Sequence, residues 1–510
     1  MNNGWEDWAI SIATFLPLVG AVVIAFVPSS QDRAVRALGI VFTGAALVVA
    51  VAIAIGFDYG AAGTLQFEVK TRWIPAIDAN YHVGIDGISM PLYLLTFVLS
   101  FLCAIYTWGF VPSAGRTKAF LALQLLLETG MAGTFVAFDL ILFFIFWELV
   151  LVPMYFLIGI WGSANREYAS IKFFLYTLFG SVFMLLGFLA MYFRSDPHTF
   201  DVLTLQQTGP GFAHGFQLIV FAAVALGFAV KVPMWPFHTW LPDAHTEAPT
   251  VGSVLLAGVM LKMGTYGFVR IALPILPDAA RAFAPWIGAL AAIAIVYAAL
   301  ACLAQRDLKR LIAFSSVGHM GFVMLGIATL SPIGINAAIF GMVAHGVITG
   351  MLFFCVGSIY DRYHTRQIAE IGGGLLQKLP RLGGVFAFVA IASLGLPGLA
   401  GFWGEVMALL SSFSPSHVLA DQTTLFRVFM VAGGIGTILT AGYFLWMLQR
   451  VNMGTVPERW SETVLPDVLA VEWIAWLPLL VATLVLGLYP RLIFGVTDSA
   501  VQGLMHLFGG

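Results

Sequence analysis

Eight ionisable side chains stand within or beside apolar runs that should hold none: Glu128, Glu148, Lys231, His238, Lys262, His319, His345 and Glu405. A Lys or Asp at the centre of a lipid-embedded helix costs about 2.5–3.5 kcal/mol, so each is a functional hypothesis by default. Carboxylates, ammonium groups and imidazoles share one reaction, the exchange of a proton, and a row of them at one depth is what a relay in the membrane plane requires. A structural reading covers some charges singly. Lys172 near a helix start and Asp139 near a helix end read as ion pairs, and a lone His319 or His345 is cheap to bury as neutral imidazole. It does not cover Glu148, Lys231, Lys262 and Glu405 together, because four unrelated structural charges at one depth would be costly.

Local spacing adds detail. Lys231 and His238 are seven residues apart and would share a helix face about 10 Å from one another. Lys262 and Tyr266, and Ser315 and His319, are each one turn apart, near enough for bound water to join them. Proline interrupts the chain beside two of the charges. Pro233 and Pro236 release the carbonyls of Ala229 and Val232 next to Lys231, and Pro397 releases that of Ser393 ahead of Glu405. Carbonyls freed at membrane depth must face protein interior or a hydrated cavity, the broken-helix pattern of transporter sites. An opposite charge ~6 Å from Lys231, at an effective dielectric of 20, contributes about 2.8 kcal/mol. Separating Glu148 from Lys231 would therefore decide whether the lysine keeps its proton.

These residues need elements that hold them inside a membrane. With 60% hydrophobic and only 10% charged residues, the 510-residue chain cannot dress a soluble surface. The pattern predicts an all-α integral membrane fold of about fourteen transmembrane helices, near residues 9–28, 36–56, 89–110, 118–137, 139–160, 170–193, 214–240, 251–272, 282–304, 310–330, 335–359, 383–411, 425–449 and 469–489. Arg33, Arg36, Arg116, Lys118, Arg166, Arg306, Lys309, Arg310, Arg362, Arg366, Lys378, Arg381, Arg450 and Arg459 all fall on alternate loops. Basic loops stay on the cytoplasmic side, so both termini are expected to face away from the cytoplasm. The acidic N-terminus lacks a signal-peptide pattern, so the first helix is expected to stay. Residues 64–72 and 81–85 alternate apolar and polar around Asp78-Ala79-Asn80 and predict a β-hairpin. Val501, Leu504, Met505 and Phe508 predict an interfacial C-terminal helix that Asp498 could cap.

Other chemistries find no support. A net charge of −2 without a basic tract argues against nucleic acid. Cys103, Cys302 and Cys355 stand far apart in apolar runs and suggest packing, with no metal or iron–sulfur site. No phosphate loop or nucleotide-binding glycine fingerprint is present. Yet each proton moved against the membrane potential needs about 2.3 kcal/mol per 100 mV. The energy is expected to come from partner chains.

The run from Lys231 to Thr250, KVPMWPFHTWLPDAHTEAPT, followed by LAGVMLKMGTYG around Lys262, resembles the proton antiporter-like membrane subunits of respiratory complex I. FWELVLVPMY around Glu148 and GLPGLAGFWGE ending at Glu405 extend the match, which continues more loosely over the whole chain. Glu405 stands where the family's L and N chains place a lysine, and too few residues follow the last helix for the long lateral extension of L. The resemblance implies two inverted five-helix repeats with broken seventh and twelfth helices. It divides the chain into an N-terminal segment with the hairpin (1–117), a first half (118–272), a second half (273–450) and a terminal segment (451–510). By motif, Glu148 and Lys231 resemble the family's ion pair of the entry half-channel, Lys262 its central relay and Glu405 its exit-side residue; His238, His319, His345 and Glu128 are candidates on the strength of their own positions in apolar runs. It also implies no cofactor in this chain; NADH, flavin, iron–sulfur clusters and quinone belong to partner subunits, with chains L and N as neighbours. Rival readings are a Mrp-type cation/proton antiporter, a membrane-bound hydrogenase module, a haem-bearing quinol oxidase using His319 and His345, sodium in place of the proton, and a structural anchor.

Overall fold

The computed structural model describes residues 4–111 and 115–508. Among them thirteen helices are long and apolar enough to cross a membrane. The chain begins with α1 (Glu6–Phe26) and α2 (Asp32–Gly56), then an antiparallel hairpin of β1 (Gln66–Ile74) and β2 (Ala79–Ile85). Next come α3 (Ser89–Gly109), α4 (Thr117–Val136), α5 (Leu140–Trp161), α6 (Arg166–Arg194) and α7 (His214–Lys231). The remaining full crossings are α8 (Thr250–Ile275), α9 (Pro277–Leu303), α10 (Leu308–Ala328) and α11 (Pro332–Tyr363). A split crossing follows, made of α12 (Pro380–Ser393) and α13 (Gly401–Phe413). The chain ends in α14 (Thr423–Val451), α15 (Ala470–Leu488) and α16 (Arg491–Met505). With the split pair counted as one, the crossings number the expected fourteen.

Composition sorts the helices into a sheath and a core. The most apolar stretch of α8 is 100% buried, against 28% for α2. The sequence of α2, LVVAVAIAI, can face acyl chains all round, whereas α8 carries Lys262 and Arg270 and must be enclosed by protein. α10 and α11 are nearly as enclosed, and they pack on one another and on α13.

The hairpin runs up to its turn on both strands, beyond the expected bounds, and Asp78 takes the left-handed conformation there (φ 49°). It is anchored to the α6–α7 connection. Asp201 accepts from Lys70 and from His82 Nδ1, both at 2.7 Å, while His82 Nε2 meets Glu68 at 2.8 Å. Burial opposes the Asp201 charge, but the bonds from His82, Lys70 and Thr204 outweigh it and hold the carboxyl well below the usual carboxylate range. Asp139 forms no ion pair among the described residues, which corrects that expectation; it caps α5 through the amides of Ile141 and Leu142 and accepts from Asn80 N at 2.8 Å.

Two expectations need correction, and one is met. α16 starts at Arg491, so Asp498 is no cap; it lies mid-helix and accepts from Asn336 Nδ2 of α11 at 3.0 Å. Pro490 ends the connection and opens this helix instead. Among the basic residues assigned to loops, Arg362 and Lys309 are buried inside helices. Arg362 is held by both oxygens of Glu472, at 2.9 and 2.7 Å, and so ties α11 to α15. Lys172 forms the predicted structural pair, with Asp243 at 2.7 Å.

Candidate functional site

Four of the predicted side chains form a connected row. Lys262 is fully buried on α8, and its ammonium lies 2.6 Å from His345 Nδ1 of α11 while also donating to the Ala257 carbonyl. An ammonium can only donate, so Nδ1 is the acceptor and His345 carries its hydrogen on Nε2. That nitrogen is buried with no partner among the described residues. The His345 and His319 rings are 5.7 Å apart, and a cavity of about 30 Å³ lies against both, room for one or two waters. Ser393, Thr349, Gly404 and Glu405 share its wall. His319 Nδ1 meets Glu405 Oε1 at 2.9 Å and Nε2 meets Ser393 Oγ at 3.0 Å. The second Glu405 oxygen is buried and unpartnered. The order is Lys262, His345, cavity, His319, Glu405.

Local sequence explains why these groups meet. A Cβ on Gly346 would lie 2.7 Å from the Gly258 carbonyl, so only glycine lets α8 and α11 approach this closely, next to His345. A Cβ on Gly404 would lie 2.7 Å from Gly341 Cα, and the same close approach sets Glu405 against α11. Two π turns, Leu256–Met260 and Phe268–Ala272, flank the stretch of α8 that bears Lys262. Such turns often mark functional positions in membrane helices, since each rotates the residues beyond it. At the split crossing α12 ends at Ser393 and α13 starts at Gly401; the Ala400 amide is satisfied by Thr483 of α15 at 3.0 Å.

Lys231 is the last residue of α7, where the negative end of the helix dipole favours a cation. Of the two carbonyls expected to be freed there, that of Ala229 accepts from Met234 N at 2.8 Å, which corrects the expectation for Ala229. The neighbouring Val230 carbonyl accepts from the Trp240 indole at 2.9 Å. The expected Glu148–Lys231 contact is likewise looser than a salt bridge. Lys231 lies over the Trp147 ring, 5.0 Å from its centroid, and Trp147 is fixed by a 3.0 Å bond to Ser181 Oγ. Cation–π attraction takes the place of a direct pair. Glu148 still senses the Lys231 charge, and its Oε1 is buried without a partner.

Other predicted links are absent. α7 stops before His238, so the shared-face estimate with Lys231 fails; His238 packs 5.0 Å from Tyr297, with Nδ1 unpartnered. The Tyr266 hydroxyl donates to the Phe135 carbonyl at 2.8 Å and accepts from Arg270, turning away from Lys262. Ser315 bonds its own helix at Ile312. Glu128 is fully buried but contacts none of the row. Both His319 nitrogens are engaged, by Glu405 and by Ser393.

Two residues escaped the sequence reading. His245 is fully buried, stacked on Phe353 at 4.5 Å, with both nitrogens unpartnered. Its signal was its place seven residues after His238 in the motif already quoted. Lys309 is buried and donates to the Ala248 carbonyl at the rim of a cavity of about 500 Å³, beside Glu247, Asp361 and Arg366. It was hidden by the loop charges around it.

Comparison with known proteins places this geometry. A chain called NADH-quinone oxidoreductase subunit M from Rhodobacter capsulatus is 42% identical over 98% of this chain and 96% of its own length. A chain of respiratory complex I from Thermus thermophilus superposes with a TM-score of 0.87 at 27% identity, covering 98% of this chain and 100% of that one. A chain of the Mrp complex from Dietzia sp. DQ12-45-1b shares the fold, with a TM-score of 0.84 at 21% identity over 99% of both chains. The family model described as "NADH:quinone oxidoreductase/Mrp antiporter, TM" matches residues 137–431, which hold Glu148, Lys231, Lys262, His319, His345 and Glu405, and the chain belongs to that family.

Proposed function

We propose that protons cross this protein by way of the row Lys262–His345–His319–Glu405, with Lys231 and Glu148 as the switch that loads it. The chain is a proton-translocating membrane subunit of NADH:quinone oxidoreductase. The observation that carries the relay is its continuity: two direct contacts of 2.6 and 2.9 Å, joined across a cavity that both histidines line. Lys262 can pass a proton to His345 Nδ1 as His345 releases one from Nε2 to water in the cavity, so the imidazole ends neutral with its tautomer reversed. His319 takes a proton from that water and, already bonded to a carboxylate, hands it to Glu405.

In this reading electron transfer takes place in partner subunits that hold NADH, flavin, iron–sulfur clusters and quinone, and this chain carries no redox cofactor. The neighbours are chains L and N of the membrane arm, and the hairpin side faces the periplasm along with both termini. The test is Lys262→Met in membranes carrying the assembled complex. Quinone-linked NADH oxidation and acidification should both fall by at least about tenfold, the effect of 1.4 kcal/mol, while NADH oxidation by an acceptor that bypasses quinone stays unchanged. Acidification at the wild-type rate would refute the relay.

A further inference from the structure

Glu128 calls for an account of its own. It is fully buried on α4, outside the row, and neither carboxyl oxygen has a partner among the described residues. Gln124, one turn earlier on the same face, donates to the Ser100 carbonyl of α3 at 3.1 Å but leaves its own side-chain oxygen unpartnered. The Ser100 hydroxyl, also fully buried, is unpartnered too. An unsatisfied buried polar atom costs about 1–3 kcal/mol, and a carboxylate without a donor costs far more. Holding Glu128 as a neutral acid would lower this cost, since the acid form can donate as well as accept.

Two hydroxyl pairs lead toward it from the hairpin side. Tyr81 of β2 meets Ser11 of α1 at 2.7 Å. One turn further along α1, Thr14 meets Tyr93 of α3 at 3.0 Å, and Tyr93 also donates to the Ile10 carbonyl at 3.2 Å. At 1.5 Å per residue, Tyr93 lies roughly 6 Å inside α3, Thr14 roughly 12 Å inside α1 and Glu128 roughly 12 Å inside α4, measured from the hairpin ends.

We propose that Glu128 is a second proton-holding site, confined to the N-terminal helices, that exchanges with water on the hairpin side through the Tyr81–Ser11 and Thr14–Tyr93 hydroxyl pairs. Water between the pairs and around Ser100 and Gln124 completes the path. Each hydroxyl gives up one proton and takes another, so a proton leaving Glu128 is replaced from the hairpin-side solution and only O–H bonds form or break. The site is a branch with one open end, whereas the row crosses the protein.

Infrared difference spectra of the assembled complex in membranes, wild type against Glu128→Gln, isolate the carbonyl stretch of this residue. The expected result is a protonated-acid band at neutral pH that shifts on transfer to D2O, and does so roughly tenfold more slowly in Tyr93→Phe and Tyr81→Phe. Carboxylate bands in place of the acid band would overturn the proposal. So would an acid band that exchanges equally fast in both phenylalanine variants, or one that responds to sodium and not to deuterium. Should Glu128→Gln fail to assemble, the time course of exchange in wild type against Tyr93→Phe decides the matter in its place: a slowed acid component supports the branch, and its absence overturns it.

Discussion

Replacing His345 tests the row at its narrowest contact. Lys262 has two hydrogen-bond partners among the described residues, the Ala257 carbonyl and His345 Nδ1, so removing the imidazole takes away the titratable one. A hydrogen bond to a charged group is worth about 1.5–3 kcal/mol, which corresponds to a slowing of roughly ten- to a hundredfold if that contact sets the height of the transfer barrier. The replacement matters as much as the loss. His345→Leu fills the space with hydrocarbon and leaves no path from Lys262 to His319. His345→Ala enlarges a cavity that already has room for water and is bordered by Ser393, Thr349 and Glu405. The alanine variant should therefore keep more coupled turnover than the leucine variant, although the deletion is the more drastic truncation. Quinone-linked NADH oxidation and acidification in inverted vesicles give the comparison. Equal loss in both variants, or wild-type pumping in His345→Leu, would refute the reasoning.

Four further outcomes follow from the geometry. Glu148→Gln and Lys231→Ala should leave assembly largely intact and strongly lower quinone-linked turnover, measured with complex abundance on native gels. Gly346→Val should force α8 and α11 apart and cost about 1–3 kcal/mol of packing, seen as a lower melting temperature together with lost coupling. Glu472→Leu strands the Arg362 guanidinium and should destabilise by about 3–5 kcal/mol, whereas the double variant Arg362→Met, Glu472→Leu should recover most of the abundance. At the hairpin, the depressed carboxyl of Asp201 contributes stability that is present above the unfolded pKa of about 3.9 and is lost only as pH falls through the lower folded value. Protection factors of the β2 amides, corrected for the intrinsic exchange rate, should thus match at pH 5 and 7, and Asp201→Asn should lower them at both.

Much of the site was legible because a charge in an apolar run announces itself. Lys262, His319, His345 and Glu405 could be picked from their neighbours alone, and Pro233 and Pro397 marked both breaks. What sequence supplies is distance along each helix; it says little about direction around the axis. Tyr266 and Ser315 sit one turn from row members, as spacing required, yet their hydroxyls bond elsewhere. The two π turns of α8 each add a residue to a turn, rotating the rest of the helix by roughly 100° against an ideal one. Glu128 lies within α4 as its place in the sequence required, yet no hydrogen bond joins it to the row among the described residues. Lys231 settled on Trp147 because an aromatic face competes with a carboxylate for a cation, and spacing is blind to such choices. His245 and Lys309 went unnoticed for the opposite reason, since neighbouring polar residues made them ordinary.

The enclosure of α8 bears on how the molecule is made. Lys262 finds its partner 83 residues later in the chain, on α11. At about 5–20 residues per second, synthesis reaches that partner roughly 4–17 s after the lysine has emerged. Throughout that wait α8, the least apolar of the thirteen long crossings with a mean hydropathy of 1.4, carries an unpaired cation and cannot rest in lipid cheaply. The insertion machinery or the earlier helices must shelter it until α10 and α11 arrive. A buried lysine proposed to relay protons thereby dictates the order in which the ribosome's product enters the bilayer.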